Sequence, residues 1–447
     1  KKKIKIIKYG GFFMGFMNKL TEVLDEKLTP IAAKVATQRH MQAIRDGLIL
    51  TMPLLIIGSF FLILAFLPIP AVDKWMSEGV GAQVRTYLLY PVDATFGLMA
   101  LVACFGIGYR LSEKYKLDAL AGATLSVIGF MIVTPFKIAL PDGKFMGGGI
   151  PMVYMGSQGL FVAMIMAILC VEIFRIVIQK NLVIKLPDSV PPSISKSFSA
   201  LIPGTFIIVT ALALRILFEV TPFENMHKIV STLLSEPLTK IGTTYIGMLV
   251  IVLLMQLLWV CGLHGPAIVG AVTTPIFTMA MDQNRAAFQA GQAVPNIVTS
   301  QFQDLITSGG SGMTLAFALM LAFWAKSKQL KEIGKLSLAP GLFNINEPIV
   351  FGVPVVMNPV IMIPFILTPM IVMTFNYICM KMGIVAKPAG LAVPWTTPMI
   401  LQGFLITGGK ISGGLLQIID FLMAAVIYYP FFKEWDKQKV VEEAQNS

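Results

Sequence analysis

The feature that most constrains this chain is the recurrence of uncharged stretches long enough to cross a bilayer, for which a helix needs roughly 20 apolar residues. They are Gly47–Leu67, Ala94–Tyr109, Ala119–Phe136, Phe145–Val171, Ser197–Leu214, Ile241–Met281, Leu305–Ala325, Pro348–Met380 and Pro388–Gly409. Only helices and closed barrels satisfy the backbone in lipid, and the alternating polar and apolar pattern of barrel strands is missing from the sequence. The expected fold is therefore an all-α polytopic membrane protein of about ten transmembrane helices. Only 13% of the residues are charged, about half the usual soluble fraction, which excludes an ordinary globular domain.

Lys and Arg number 35 against 24 Asp and Glu. This excess does not point to nucleic acid, because the basic residues gather at the ends of apolar runs, in Lys1–Lys8, Arg110–Lys116, Lys180–Lys196, Lys326–Lys335 and Lys433–Lys439. The positive-inside rule assigns all five clusters, and both termini, to the cytoplasm. The four cysteines fall in apolar runs at no motif spacing and read as buried small hydrophobes. No cleavable signal peptide is expected, and translation is compatible with a start at Met14 or Met17. Met17–His40 is polar and amphipathic.

The two halves differ in kind. Up to about Ser197 clean apolar runs alternate with short charged loops, and this half reads as scaffold. Beyond the proline-rich Leu186–Pro192 the apolar sequence is broken by Gly262, Gly265 and Pro266, by Ser308-Gly-Gly-Ser-Gly312, by Ala339-Pro-Gly341 and by Pro394-Trp-Thr-Thr-Pro398. Broken helices and re-entrant hairpins are expected there. They survive at membrane depth only where buried in protein or lining a cavity, and transporters place substrate sites at such breaks. Gly403–Ile411 is not a phosphate loop. Five residues separate Gly403 from Gly409-Lys410 where four are required, and Ile411 stands where Ser or Thr is needed. Energy must come from an ion gradient or a partner.

Glu347, between Asn346 and Pro348, is a carboxylate in an almost uncharged stretch, and an ionisable group inside a membrane segment is by default functional. Its bland reading is a helix-start charge, a task that an uncharged Asn or Ser also performs. His264, within Trp259-Val-Cys-Gly-Leu-His-Gly-Pro266, either bonds a neighbouring helix or meets a hydroxyl or phosphate. With no second His nearby, a metal site is not expected. Trp395 offers a flat face to a sugar ring or belongs to an interfacial belt, as Trp75, Trp324 and Trp435 are read. Asp420, in the last apolar run, is open between structure and function.

Trp259…Gly-Leu-His264-Gly-Pro, Phe343-Asn-Ile-Asn-Glu347-Pro-Ile-Val-Phe-Gly and Val393-Pro-Trp395-Thr-Thr-Pro, in that order, resemble the membrane (EIIC) subunit of bacterial phosphotransferase-system sugar permeases. The likeness is greatest to the lactose/cellobiose/N,N′-diacetylchitobiose family and runs from about Met17 to the end. It implies a multi-pass protein of the bacterial plasma membrane, a homodimer that takes up a disaccharide as its 6-hydroxyl is phosphorylated by a cysteine of phospho-EIIB, with EIIA upstream. It further implies a cytoplasmic segment at 1–46 with an amphipathic helix, an oligomerisation domain at 47–220 and a sugar-binding transport domain at 221–447. Glu347 and His264 would contact the reacting hydroxyl, with Asn346, Asn344, Trp395 and Trp259 binding the sugar. No cofactor or metal is implied. The alternative from a different class is a proton- or sodium-coupled disaccharide symporter, with a passive channel as the third reading.

Overall fold

A computed structural model describes residue 26, residues 29–67, 69–139, 144–184, 187, 198–353, 355, 358 and 360–446. Of Met17–His40 the described part is residue 26 and residues 29–40, with Thr29–Thr37 a helix and Arg39 opening the next, Arg39–Ile49, and the proline-rich connection lies outside the described residues apart from Pro187. Among the described residues the chain is helical, and its one sheet is a hairpin in which Lys137–Ala139 pairs antiparallel with Phe145–Gly147, Lys137 opposite Gly147. Six helices are long and apolar enough to cross a membrane: Arg39–Ala65, Gly79–Lys114, Ser157–Gln179, Leu201–Glu219, Met362–Lys381 and Ile411–Gln445. A seventh arises if the pair Met226–Gly242 and Tyr245–Val260, bent by 80°, is one span. Shorter apolar helices occupy Ala119–Val133 and Leu315–Trp324.

The helices fall into two compact units, one built from Thr37–Ile241 with Ala271–Asp282, the other from Gly242–Gly270 and Gln283–Ser447 together with the described residues before Thr37. In the first, small residues let helices touch backbone to backbone, the usual device where lipid removes the hydrophobic drive between helices. Gly47 and Gly106 face each other so closely that a Cβ on Gly106 would lie 2.7 Å from the Gly47 carbonyl oxygen, and one on Gly47 would lie 2.5 Å from the Ile107 nitrogen. At one end of this unit Glu172 gathers three donors. Its carboxylate accepts from Arg175 at 2.7 and 2.9 Å, pairs with His40 at 2.9 Å and accepts from the Tyr115 hydroxyl. All four cysteines of the chain are buried and free.

The second unit holds the breaks. The helix Tyr245–Val260 ends in a turn at 261–264 before Gly265–Gln289 begins, as Gly262, Gly265 and Pro266 suggest. Ser308–Gly312 separates Ser300–Leu305 from Leu315–Trp324. One expectation is corrected: Lys328–Leu342 runs through Ala339-Pro-Gly341 and ends one residue beyond it. Pro340, in the last turn, lacks the N–H that would bond the carbonyl of residue 336, and its own carbonyl accepts from Ile345 N (3.0 Å) while that of Gly341 accepts from Asn344 N (3.1 Å). This is the paired closure that follows a left-handed residue, here Asn344 at φ 62°. Asp420 resolves as buried. It accepts a 2.9 Å bond from Asn376 Nδ2, linking Met362–Lys381 to Ile411–Asn446. Trp75 and Trp324 are exposed as belt residues should be, whereas Trp435 packs against the core.

Gly106→Val forces backbone against backbone and should lower stability in detergent by about 1–3 kcal/mol, the usual range for overpacking. Gly147→Val, where an added Cβ meets nothing within 4 Å, should leave the thermal midpoint unchanged. Equal midpoints for the two variants would contradict the crossing.

Candidate functional site

Three interrupted stretches of the second unit, 308–312, 343–347 and 394–400, are fastened to one another by carboxamide side chains. Asn344 is the junction. Its Oδ1 accepts from Gly309 N (2.9 Å), and its Nδ2 donates to the carbonyls of Trp395 (2.6 Å) and Thr397 (3.0 Å). The geometry uses what is special about asparagine, an amide with two donors and an acceptor on a residue that tolerates left-handed backbone. Asn346 Nδ2 donates to the Ser311 carbonyl at 2.7 Å. Gly310, at φ 89°, must be glycine: a Cβ there would lie 2.6 Å from the Asn346 carboxamide carbon.

Glu347 opens the helix Glu347–Gly352, whose next residues Ile349 and Val350 are buried. Asn346, in the N-cap position, makes no side-chain cap because its amide is turned toward Ser311. The sequence suggests a carboxylate desolvated by the protein, and this is corrected: the Glu347 side chain is exposed. A charge in the first turn favours the positive end of the helix, and the packed side chains of that turn leave it facing outward. Among the described residues its carboxylate has no hydrogen-bond or ion-pair partner within the chain.

His264 caps Gly265–Gln289 and is exposed, with Nδ1 accepting from Ala267 N at 3.1 Å. That bond occupies the basic nitrogen of the neutral ring and leaves its proton on Nε2. Its centroid stands 4.7 Å from that of Trp259. Trp259 itself is 4% exposed and belongs to one buried cluster with Val260, Cys261, Ile349 and Val350, which ties the two turns bearing His264 and Glu347 to a common core. The Trp259 indole N–H is buried without a partner among the described residues. Trp395 is 45% exposed, its backbone held while its ring is free to meet a ligand.

Sequence reasoning missed several residues here. Gln301 Oε1 accepts from Val393 N (3.1 Å), and Asn284 Nδ2 donates to the carbonyls of Asn296 and Pro388, each at 2.8 Å. Gln402 Nε2 donates to the Trp395 carbonyl at 3.2 Å and Gln417 Nε2 to Gln402 Oε1 at 3.0 Å. An uncharged polar residue in an apolar run is the signal that could have found them. Asp304, half-buried on Ser300–Leu305, was passed over because it borders the run that begins at Leu305. Among the described residues no group of three or more His, Cys, Asp or Glu is placed to hold a metal ion.

Residues 45–369 match the family model for the phosphotransferase system EIIC. The chain is 55% identical to the cellobiose-specific EIIC component of the phosphotransferase system of Geobacillus stearothermophilus, over 96% of each chain. It is 54% identical to the lichenan permease IIC component of Bacillus subtilis, again over 96% of each. Among solved structures it resembles the transporter ChbC, the IIC component of the N,N′-diacetylchitobiose-specific phosphotransferase system. The TM-score is 0.91 at 51% identity, covering 94% of this chain and 99% of that one. A helical chain with broken membrane segments, an exposed carboxylate at one break and relatives of this kind along nearly its whole length belongs to the EIIC family of the phosphotransferase system.

Proposed function

We propose that this protein is the membrane component through which a disaccharide of the cellobiose or N,N′-diacetylchitobiose type enters the cell while its 6-hydroxyl is phosphorylated by phospho-EIIB, itself charged by EIIA. The observation that carries this reading is the 55% identity, over 96% of each chain, to a cellobiose-specific component. The rival ion-coupled symporter draws no support from these relatives. In the proposed step the sulfur–phosphorus bond of the EIIB phosphocysteine breaks and an oxygen–phosphorus bond forms at the sugar. Such transfer asks mainly for alignment and a proton acceptor. Glu347 takes the hydroxyl proton, and the arriving sugar supplies the desolvation that the free protein does not. His264 donates through Nε2 to the same hydroxyl or to the phosphate, Asn346 and Asn344 shape the polar wall, Trp395 stacks on a ring, and Trp259 supports His264 from beneath.

The same reading makes the chain a homodimer in the bacterial plasma membrane, with 47–220 as oligomerisation domain, 221–447 as transport domain and both termini cytoplasmic. About ten spans result if the short apolar helices, the bent pair and the two segments of Gly79–Lys114 each count as crossings. Glu113→Cys, on the last turn of the helix that ends at Lys114, should react with an impermeant thiol reagent from the cytoplasmic side only. Labelling from outside intact cells would contradict this topology.

Inverted vesicles bearing the protein should form sugar 6-phosphate only when EIIA, EIIB and the general phosphotransfer proteins are supplied, and a panel of disaccharides should identify the substrate. Uptake driven by a pH or sodium gradient alone would favour the symporter. Glu347→Gln keeps size and hydrogen-bonding capacity but removes the basicity, so phosphorylation should fall about 10²–10⁴-fold, the usual loss for a general base, with sugar binding less affected. Normal phosphorylation by this variant would reduce Glu347 to a structural charge.

A further inference from the structure

Ile400 adopts φ 74°, ψ −59°, the strained γ-turn conformation that a β-branched residue holds only where its surroundings impose it. Its N–H donates to Gln417 Oε1 at 2.8 Å, and the same oxygen accepts from Gly403 N at 2.7 Å. Gln417 Nε2 passes the chain to Gln402 Oε1 (3.0 Å), and Gln402 Nε2 passes it to the Trp395 carbonyl (3.2 Å). Both glutamines are 0% exposed. The polarity is fixed from end to end. Two backbone N–H groups demand an oxygen at Gln417 and a carbonyl demands an N–H at Gln402, so reversing either amide would set like dipoles face to face.

The chain runs from the core of the long helix Ile411–Asn446 to the peptide group of the one exposed tryptophan in the site. It fixes that residue together with Asn344, which also donates to the Trp395 carbonyl (2.6 Å). A carbonyl held by two amides from two elements, beside a locked turn at Ile400, fixes the backbone from which the exposed indole projects. We propose that Gln402 and Gln417 are positioning residues for sugar affinity, which they supply without touching the sugar by holding Trp395 in its stacking pose. The inference rests on the reading of Trp395 as the stacking aromatic.

A double-mutant cycle on the full-length protein in nanodiscs tests it, with direct binding of cellobiose and of N,N′-diacetylchitobiose as the readout. Trp395→Ala should raise Kd about 5- to 100-fold, the loss of one aromatic contact. Gln402→Met, similar in shape but without the polar atoms, should raise Kd about 2- to 10-fold, as for one net hydrogen bond, and by less than twofold when Trp395 is already Ala. Equal weakening in both backgrounds would make Gln402 a general structural residue and overturn the inference, leaving the stacking intact. An unchanged Kd for Trp395→Ala would instead remove the stacking reading itself. If Gln402→Met does not fold, Gln402→Glu serves: its acid form can donate to the Trp395 carbonyl and its carboxylate form cannot. Affinity relative to wild type at the same pH should therefore recover at low pH and fall at high pH, whereas a ratio flat with pH would overturn the inference.

Discussion

The second unit depends on one constraint, that backbone broken inside an apolar segment must find partners from the protein itself, because lipid supplies none. The partners here are carboxamides. Asn344 alone satisfies Gly309 N and the carbonyls of Trp395 and Thr397. Asn284 serves Asn296 and Pro388, Asn346 serves Ser311, Gln301 serves Val393, and Gln417 serves Ile400 and Gly403. A side-chain amide is in effect a portable peptide group, with the donors and acceptor of the ladder that the break has removed. It does so without charge, which would cost far more to bury.

That division of labour explains why the carboxylate is spared. If the role of Glu347 were to hold the break together, its oxygens would be bonded to backbone N–H groups as those of Asp436 are to Lys326 and Ser327. They are not, and the neighbouring asparagines do the fastening. A group relieved of structural duty beside a packed framework has the arrangement expected of a first-contact residue, whose position is fixed by others and whose chemistry stays available. His264 differs in that Nδ1 is committed to its own helix start, and the commitment leaves it a donor rather than a base.

The architecture was legible in the sequence where it depended on long-range averages. Uncharged runs marked the membrane class, and Gly262 to Pro266 and Ser308 to Gly312 marked two breaks, because glycine and proline act on their own backbone. What the sequence could not carry was direction. Nothing local to Pro340 says that its helix ends two residues later, since the end is set by the left-handed Asn344, itself held from two distant segments. Nothing local to Glu347 says that it faces outward, because its exposure follows from Ile349 and Val350 turning inward to pack with Trp259. Asn344 and Asn346 stood out through their motif, whereas Gln402 and Gln417 are isolated polar residues whose meaning appears only when residues 15 apart are brought to 3.0 Å.

Both units use close glycine contacts, Gly47 with Gly106 in the first and Gly403 with Gly413 in the second, but they place their strained residues differently. In the first, glycines such as Gly47 and Gly106 permit close helix crossings and so favour one rigid arrangement. That unit also holds Lys116, Asn181 and Glu224 at positive φ, the first two just past helix ends, whereas in the second unit Met313, Asn344 and Ile400 take positive φ at the borders of the breaks. Each such residue costs on the order of 1–3 kcal/mol, and a chain that needed only to be stable would replace them. Their gathering around an exposed carboxylate and an exposed indole argues that the second unit gives up stability to hold those two groups where a ligand can reach them. It can do so because the carboxamide network leaves the strained turns no easier conformation to relax into.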